Sequence, residues 1–452
     1  IVEWICGKKS LLRNIPANQL IEINEADAEY KTVIPDLPPS IFTPVVSPIS
    51  YQHVEPGFND FSRQPLLTYM PSIVSPVMTS ADVNGDGLED VYVGGTKENP
   101  GALYFQSKDG SFVPSSNFVF APDYFCTDSD ALFFDADGDG DQDLYVVSGG
   151  YHDYGRNNKA LQDRLYINNG HGGFSRKEDY FPQMLVSKSC VAAADIDRDG
   201  DADLFVGGRM MPGEYPKPQE SFLLINDGTG HFTNSAPLLL PGLTSGGMVT
   251  DAEWIDLNND SWPDLVIAGE FMPIRIFHNN SGKGFSEVTA SYFEIPEGGF
   301  WNIITAADLD NDGDMDLIAG NFGTNSQIKG SIKEPVQMTY KDFDNNGTVD
   351  PILSYYIQGE SYPFPSLNEL LTQLNTLRRK FPDYNSYSNA RLADVFSPED
   401  LQSADVLSAT ELRTVLYINE GGRFVKKDLP VEAQFAPVHA IEVFDYNNDG
   451  NK

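Results

Sequence analysis

Short apolar runs recur along the chain, each entered from an acidic turn and several closed by glycine. Asp203-Leu-Phe-Val-Gly-Gly208 is representative, and comparable runs follow Asp90, Asp143, Asp264 and Asp316. Unbroken β-branched and aromatic runs of this length predict strands covered on both faces. A second element alternates with them: apolar strand, Asn/Asp/Gly turn, aromatic. It reads Leu165-Tyr-Ile-Asn-Asn-Gly-His-Gly-Gly-Phe174, Leu223-Leu-Ile-Asn-Asp-Gly-Thr-Gly-His-Phe232, Ile276-Phe-His-Asn-Asn-Ser-Gly-Lys-Gly-Phe285 and Leu416-Tyr-Ile-Asn-Glu-Gly-Gly-Arg-Phe424. Such turns supply the positive-φ residues that a hairpin requires. Each repeat therefore predicts one antiparallel four-stranded sheet. The acidic turns start 53, 60, 61, 52, 34 and 103 residues apart, the spacing of a propeller or solenoid built from repeated sheets.

The turns carry oxygen ligands at alternate positions. Positions 1, 3, 5 and 9 are Asp82, Asn84, Asp86 and Asp90; Asp135, Asp137, Asp139 and Asp143; Asp195, Asp197, Asp199 and Asp203; Asp256, Asn258, Asp260 and Asp264; Asp308, Asp310, Asp312 and Asp316; Asp342, Asp344, Asn346 and Asp350. A seventh copy begins at Asp445, Asn447 and Asp449. With a carbonyl from position 7, such a set wraps one hard cation, and calcium accepts 6–8 oxygens in flexible geometry. The EF-hand alternative fails, because position 12 is Val93, Val146, Val206 or Ala319 where a bidentate Glu is required. Metal-free Asx turns are the competing account; clustered carboxylates repel without a cation, which favours metal in the complete loops. The Asp256 loop has Ser261 for glycine and Asn258 at position 3, so it reads equally as a weak site or a hydrogen-bonded turn. Asn346 weakens the Asp342 loop.

These loops with their flanking strands resemble the FG-GAP and VCBS repeats of integrin-α-like propellers. The resemblance covers roughly residues 58–452. It implies an all-β fold, a seven-bladed β-propeller truncated in its last blade, with several Ca2+ ions in the loops. Residues 365–413 depart from the pattern: Ser366 and Glu369 form a capping box before a leucine stripe, and Ser397-Pro398 opens another helix, predicting a helical insertion in the sixth blade. Residues 1–31 resemble the end of an ASPIC/UnbV module through Trp4, Gly7, Leu12, Asn14, Asn18, Gln19 and Glu25. Residues 32–57 read as a proline-rich linker. The chain is expected to be an internal segment of a longer polypeptide.

Charge narrows the partners. With 66 acidic against 30 basic residues, the chain is too negative to hold nucleic acid or an anionic membrane. No apolar run is long enough for a transmembrane segment. Cys6, Cys126 and Cys190 lack zinc spacing and are expected to be buried thiols, with a Cys126–Cys190 bridge left open. Calcium loops of modest affinity suit an extracellular or outer-cell-surface location. The wording Gly207-Gly-Arg, Pro212-Gly-Glu-Tyr-Pro216 and Asn59-Asp-Phe61 resembles that of long Bacteroidetes-type surface proteins.

No nucleophile elbow, phosphate cradle, HExxH or CxxC is present. A non-catalytic recognition or scaffolding module is therefore the first reading; a polysaccharide lyase or other glycan-active enzyme on a calcium-rich propeller is the alternative. Strands that start at the acidic loops end on the opposite face, where Tyr151, His152, Arg156, Arg209, Tyr215, Glu270 and Asn325 gather in long loops. That rim is expected to take a glycan or protein ligand, against the plainer reading of ordinary loop packing.

Overall fold

A computed structural model describes all residues except 1, 5–7, 11, 13–19, 29–42, 56, 74–75, 117, 244–245 and 448–452. The chain separates into two units, Ile1–Pro48 and Ile49–Lys452. In the first, β1 (Val2–Glu3) pairs antiparallel with β2 (Lys9–Ser10), and Trp4 Nε1 donates to Ser10 Oγ at 3.0 Å. Gly7, Asn14, Asn18 and Gln19 lie outside the described residues. The second unit starts before the expected linker boundary, because Ile49 and Tyr51 already pack on Val91, Val93 and Tyr104.

Four antiparallel sheets follow one another in sequence. The first is β3 (Met78–Ala81), β4 (Asp90–Val93), β5 (Ala102–Gln106) and β6 (Phe112–Pro114). The second is β7 (Asp128–Phe134), β8 (Asp143–Ser148), β9 (Arg164–Ile167) and β10 (Ser175–Lys177). The third is β11 (Ser187–Ala194), β12 (Asp203–Met210), β13 (Phe222–Asn226) and β14 (Phe232–Asn234). The fourth is β15 (Met248–Ile255), β16 (Asp264–Pro273), β17 (Arg275–Asn279) and β18 (Phe285–Glu287), with β19 (Gly298–Phe300) added to the end of β16. The first strands of successive sheets lie side by side, and the sheets stack face to face as the blades of a propeller. Both faces of the second, third and fourth blades are thus buried, which explains their unbroken apolar runs. In β12, Leu204 and Val206 meet Tyr145 and Leu165 of the second sheet, whereas Phe205 meets Val249 and Leu265 of the fourth.

The fifth sheet is interrupted. β20 (Ile303–Ala307) and β21 (Asp316–Gly320) are completed by β26 (Val415–Asn419) and β27 (Phe424–Asp428), with Leu317 opposite Tyr417. Between β21 and β26 the chain builds a separate sheet from β22 (Val336–Lys341), β23 (Asp350–Ile357), β24 (Glu360–Pro363) and β25 (Asp405–Ala409), in the order β24-β23-β22-β25. Helices at Leu367–Gln373, Tyr384–Tyr387, Leu392–Val395 and Pro398–Gln402 connect β24 to β25. The capping box at Ser366 and Glu369 forms, and Leu367, Leu370, Leu371 and Leu374 are buried with Ile352 and Phe396.

The expectation of a helical insertion in a sixth blade therefore needs correction. The inserted element is a whole sheet with its helices, and the Asp342 loop belongs to it, so that loop is not part of the ring count. The short and long loop intervals around it have this single cause. The inserted sheet packs through Val336, Met338, Leu353 and Ala409 onto Tyr151, Met210, Met248 and Phe271. Met248 pairs with Glu270 at the end of the fourth blade away from its acidic loop, so the sheet covers the face opposite the acidic loops.

Candidate functional site

All six complete loops follow one backbone path. Position 4 is left-handed in each (Gly85, Gly138, Arg198, Asn259, Asn311, Asn345), and so is position 6 (Gly87, Gly140, Gly200, Ser261, Gly313, Gly347). The position-1 aspartate accepts the N–H of position 6 every time, from 2.8 Å at Gly87 and Ser261 to 3.2 Å at Gly200 and Gly313. Position 9 is buried and accepts two backbone N–H groups in every loop but the Asp342 one, where Asp350 takes Phe343 N and the Gln373 side-chain amide. Asp143 takes Ala136 N at 2.9 Å and Asn168 N at 2.7 Å; Asp316 takes Leu309 N at 2.9 Å and Asn419 N at 2.8 Å. Burial nevertheless pushes four position-9 carboxyls up, Asp143 and Asp203 to about 7 and Asp264 and Asp350 to about 6.

In four loops three carboxylates converge with ligand atoms within 4.8 Å of one another: Asp135, Asp137 and Asp143; Asp195, Asp197 and Asp199; Asp308, Asp310 and Asp316; Asp342, Asp344 and Asp350. Desolvated, mutually repelling oxygens on a pre-turned backbone fit a hard divalent cation. Such an ion would be held by these oxygens and would neutralise the charge that raises the carboxyls. The Asp342 set reaches this convergence despite Asn346. In the Asp82 loop, Asn84 Nδ2 instead donates to Asp90 Oδ2 at 3.1 Å. The Asp256 loop keeps the backbone path with Ser261 at φ 69°, yet the neighbouring loop supplies a cation: Arg198 donates to Ser261 O and stacks 4.1 Å from the Trp262 ring. Of the seventh copy, Asn447 N donates to Asp445 Oδ1 at 3.3 Å, and Asp449 lies outside the described residues.

A feature missed in the sequence ties neighbouring loops together. In the second, third and fourth blades the Asn at the end of the third strand sends its amide into the preceding blade: Asn168 Nδ2 to Val83 O (2.8 Å), Asn226 Nδ2 to Ala136 O (2.9 Å) and Asn279 Nδ2 to Ile196 O (2.8 Å). Its own N–H goes to position 9 of its own loop. The repeated Leu-x-Ile-Asn and Ile-Phe-His-Asn wording was the available signal, read only as a hairpin.

The expected rim is largely interior. Tyr151, His152 and Tyr215 are fully buried, and Glu270 is 6 % exposed. The reason is a strap, residues 58–73, together with the inserted sheet. Arg63 donates to Tyr151 O (3.2 Å), His152 O (2.6 Å) and Pro212 O (2.8 Å), while Gln64 Nε2 reaches Tyr215 O (3.1 Å) and Val349 O (2.8 Å). Both ring nitrogens of His152 lack hydrogen-bond partners, and burial lowers its pKa to about 4. Arg156 is exposed and pairs with Glu214 at 2.5 Å; Asn325 donates to Phe435 O at 3.2 Å. Cys126 and Cys190 are separate buried thiols, and the bridge is not formed.

Arg209 stands in the wall between two cavities, and Glu270 lines the smaller of them. One, about 1040 Å³, runs along the inner strands past Ser129, Asp130, Thr250 and Asp251. Asp130 accepts Val191 N and Asp251 accepts Ile304 N, each at 2.8 Å from the next blade; burial raises the two carboxyls to about 6 and about 8. The other, about 340 Å³, lies beneath the inserted sheet between Phe300, Phe322 and Phe364. Arg209 Nη2 donates to the Tyr69 hydroxyl at 3.0 Å, which donates to Glu270 Oε2 at 3.1 Å.

Comparison with known proteins places the repeats. Residues 82–146, 135–206 and 256–319 match the FG-GAP-like repeat family, each segment running from one acidic loop into an apolar strand that follows an acidic loop. No curated protein matches by sequence. Among solved structures, BBS1N in complex with ARL6DN is similar at 9 % identity, covering 69 % of this chain and 95 % of that one, with a TM-score of 0.28. A putative exo-β-1,3-galactanase from Bifidobacterium bifidum s17 gives 8 % identity, 66 % and 92 % coverage and 0.30. The Dos1 propeller gives 10 %, 68 % and 88 % coverage and 0.30. Likenesses with TM-scores this low decide nothing about the fold or role of this chain. Residues 82–206 and 256–319 are FG-GAP-like repeats, and the chain that carries them is a β-propeller.

Proposed function

We propose that this chain is a non-catalytic, calcium-binding propeller that works as a recognition or scaffolding module on the outer cell surface or outside the cell. The observation that carries the calcium reading is the convergence of three carboxylates within 4.8 Å in each of four loops. Oxygen-only ligands in flexible turns favour calcium over magnesium, which demands a tighter octahedron. Residues 1–31 belong, on this reading, to the end of an ASPIC/UnbV module preceding the propeller. Its ligand is a glycan or a protein. Among the described residues no helix is long and apolar enough to cross a membrane.

Metal analysis of dialysed protein, followed by glycan and peptide arrays with and without calcium, tests both halves. Bound calcium at three or more equivalents and calcium-dependent array signals are expected. Metal-free protein with an unchanged melt, or arrays blank in both conditions, overturns the corresponding half.

A further inference from the structure

The cavity beneath the inserted sheet has two unlike ends. One is aromatic, formed by Phe300 and Phe322 of the propeller side and Phe364 of the inserted sheet. The other is an ion pair held open. Arg209 Nη2 lies 3.5 Å from Glu270 Oε1, longer than the roughly 2.7–2.9 Å of a direct charged hydrogen bond. Tyr69 occupies Arg209 Nη2 and Glu270 Oε2 and so spaces the two charges. Arg209 Nε has no partner, and no hydrogen bond leaves Nη1. Glu270 Oε1 likewise has only the loose contact. An unfilled cationic donor and an unfilled anionic acceptor therefore face one small cavity with an apolar floor.

We propose that this cavity binds an α-amino acid group carrying an aromatic or large aliphatic side chain, its carboxylate on Arg209, its ammonium on Glu270 and its side chain among Phe300, Phe322 and Phe364. This small-molecule site is additional to the glycan or protein recognition proposed above. A ligand with charge of one sign would face its like: a lone carboxylate meets Glu270, a lone ammonium meets Arg209. A sugar would fill the donor and acceptor but leave its hydroxyls against phenyl rings, where unpaired polar groups are costly. The volume, about 340 Å³, lies at the lower end of the roughly 300–1,000 Å³ usual for small-molecule sites and suits one amino acid rather than a chain. A free amino acid carries both charges on one carbon, whereas either end of a peptide carries only one of them.

Calorimetric titration of the calcium-loaded chain with L-phenylalanine, N-acetyl-L-phenylalanine, L-phenylalaninamide, Phe-Gly and methyl β-D-glucopyranoside tests it. Phenylalanine is expected to bind, with both single-charge derivatives weaker by roughly ten- to hundredfold. Phe-Gly, whose ammonium and carboxylate are too far apart for both contacts, should bind as weakly as the single-charge derivatives; binding equal to that of phenylalanine would overturn the two-charge arrangement. Glu270→Gln should weaken phenylalanine and the amide while sparing the N-acetyl derivative. Arg209→Met should abolish binding. Should that variant unfold, Gln327→Trp, at an exposed residue of the cavity wall, blocks the site with the melt unchanged. N-acetyl-phenylalanine binding as tightly as phenylalanine, competition by the glucoside, or no binding to folded protein each overturns the proposal. An array ligand retained by Arg209→Met would leave surface recognition standing while this site fails.

Discussion

The Asp135 and Asp256 loops have the same backbone and different chemistry. Both put left-handed residues at positions 4 and 6, both clamp position 1 with the N–H of position 6, and both bury position 9 on two backbone donors. Yet Asp135, Asp137 and Asp143 converge on one point, whereas Asn258 interrupts the second set and Arg198 stacks on Trp262 beside it. The path of the loop is thus fixed by positions 1, 6 and 9, and the convergence of its carboxylates by position 3. Ser261 accepts a conformation ordinarily left to glycine because the surrounding hydrogen bonds hold it there.

Chelation should produce the largest effect and act through loops of the first kind only. Each bound ion stabilises by about 2.7 kcal/mol at hundredfold saturation, so excess EGTA should lower the melting temperature by well over about ten degrees. An unchanged melt after verified metal removal would make the two kinds of loop equivalent. Next in size, Asp143→Ala and Asp264→Ala should cost about 2–4 kcal/mol each in chemical denaturation, since each strands two buried N–H donors. Near-equal losses would show position 9 to be structural in both loops; a much smaller loss at Asp264 would break that parallel.

A narrower contrast lies at position 5. Asp139→Ala and Asp312→Ala should each remove one calcium by metal analysis, and Asp260→Ala should remove none. Equal losses from all three would mean that Asn258 and Ser261 do not disable the Asp256 loop. The smallest effect is expected from Arg198→Ala, about 0.5–1 kcal/mol for an exposed cation on an indole. If Arg198 is the resident cation of the Asp256 loop, combining Arg198→Ala with Asn258→Asp should add one calcium. No added metal would show that something else keeps that loop empty.

What could be read in advance follows the range of the interactions. The acidic loops, the hairpins, the Ser366–Glu369 box and the Ser397 cap depend on residues a few positions apart, and all form. The pairing of β21 with β26 joins Leu317 to Tyr417, and no local pattern distinguishes that from a sheet completed in order. The same gap hid the burial of Tyr151, His152 and Tyr215. Their loops look like surface because their backbone carbonyls need donors, and those donors come from Arg63 and Gln64 of a distant strap. Arg209 and Glu270 lie side by side where neighbouring strands end, 3.5 Å apart, and the strap that covers them comes from residues too distant in the chain for any local pattern to announce.

The divided fifth blade has a consequence for synthesis. When β20 and β21 have emerged, the outer edge of β21 is an unpaired row of N–H and C=O groups, apolar on both sides, until residues 321–414 have been made and β26 arrives. Open edges of this kind template pairing with other chains. The inserted sheet meanwhile brings its own core, through Ile352, Leu370 and Phe396, and can settle before the blade that carries it is closed. The nascent chain thus completes the guest ahead of the host, and slow translation through the insertion would prolong its most aggregation-prone interval.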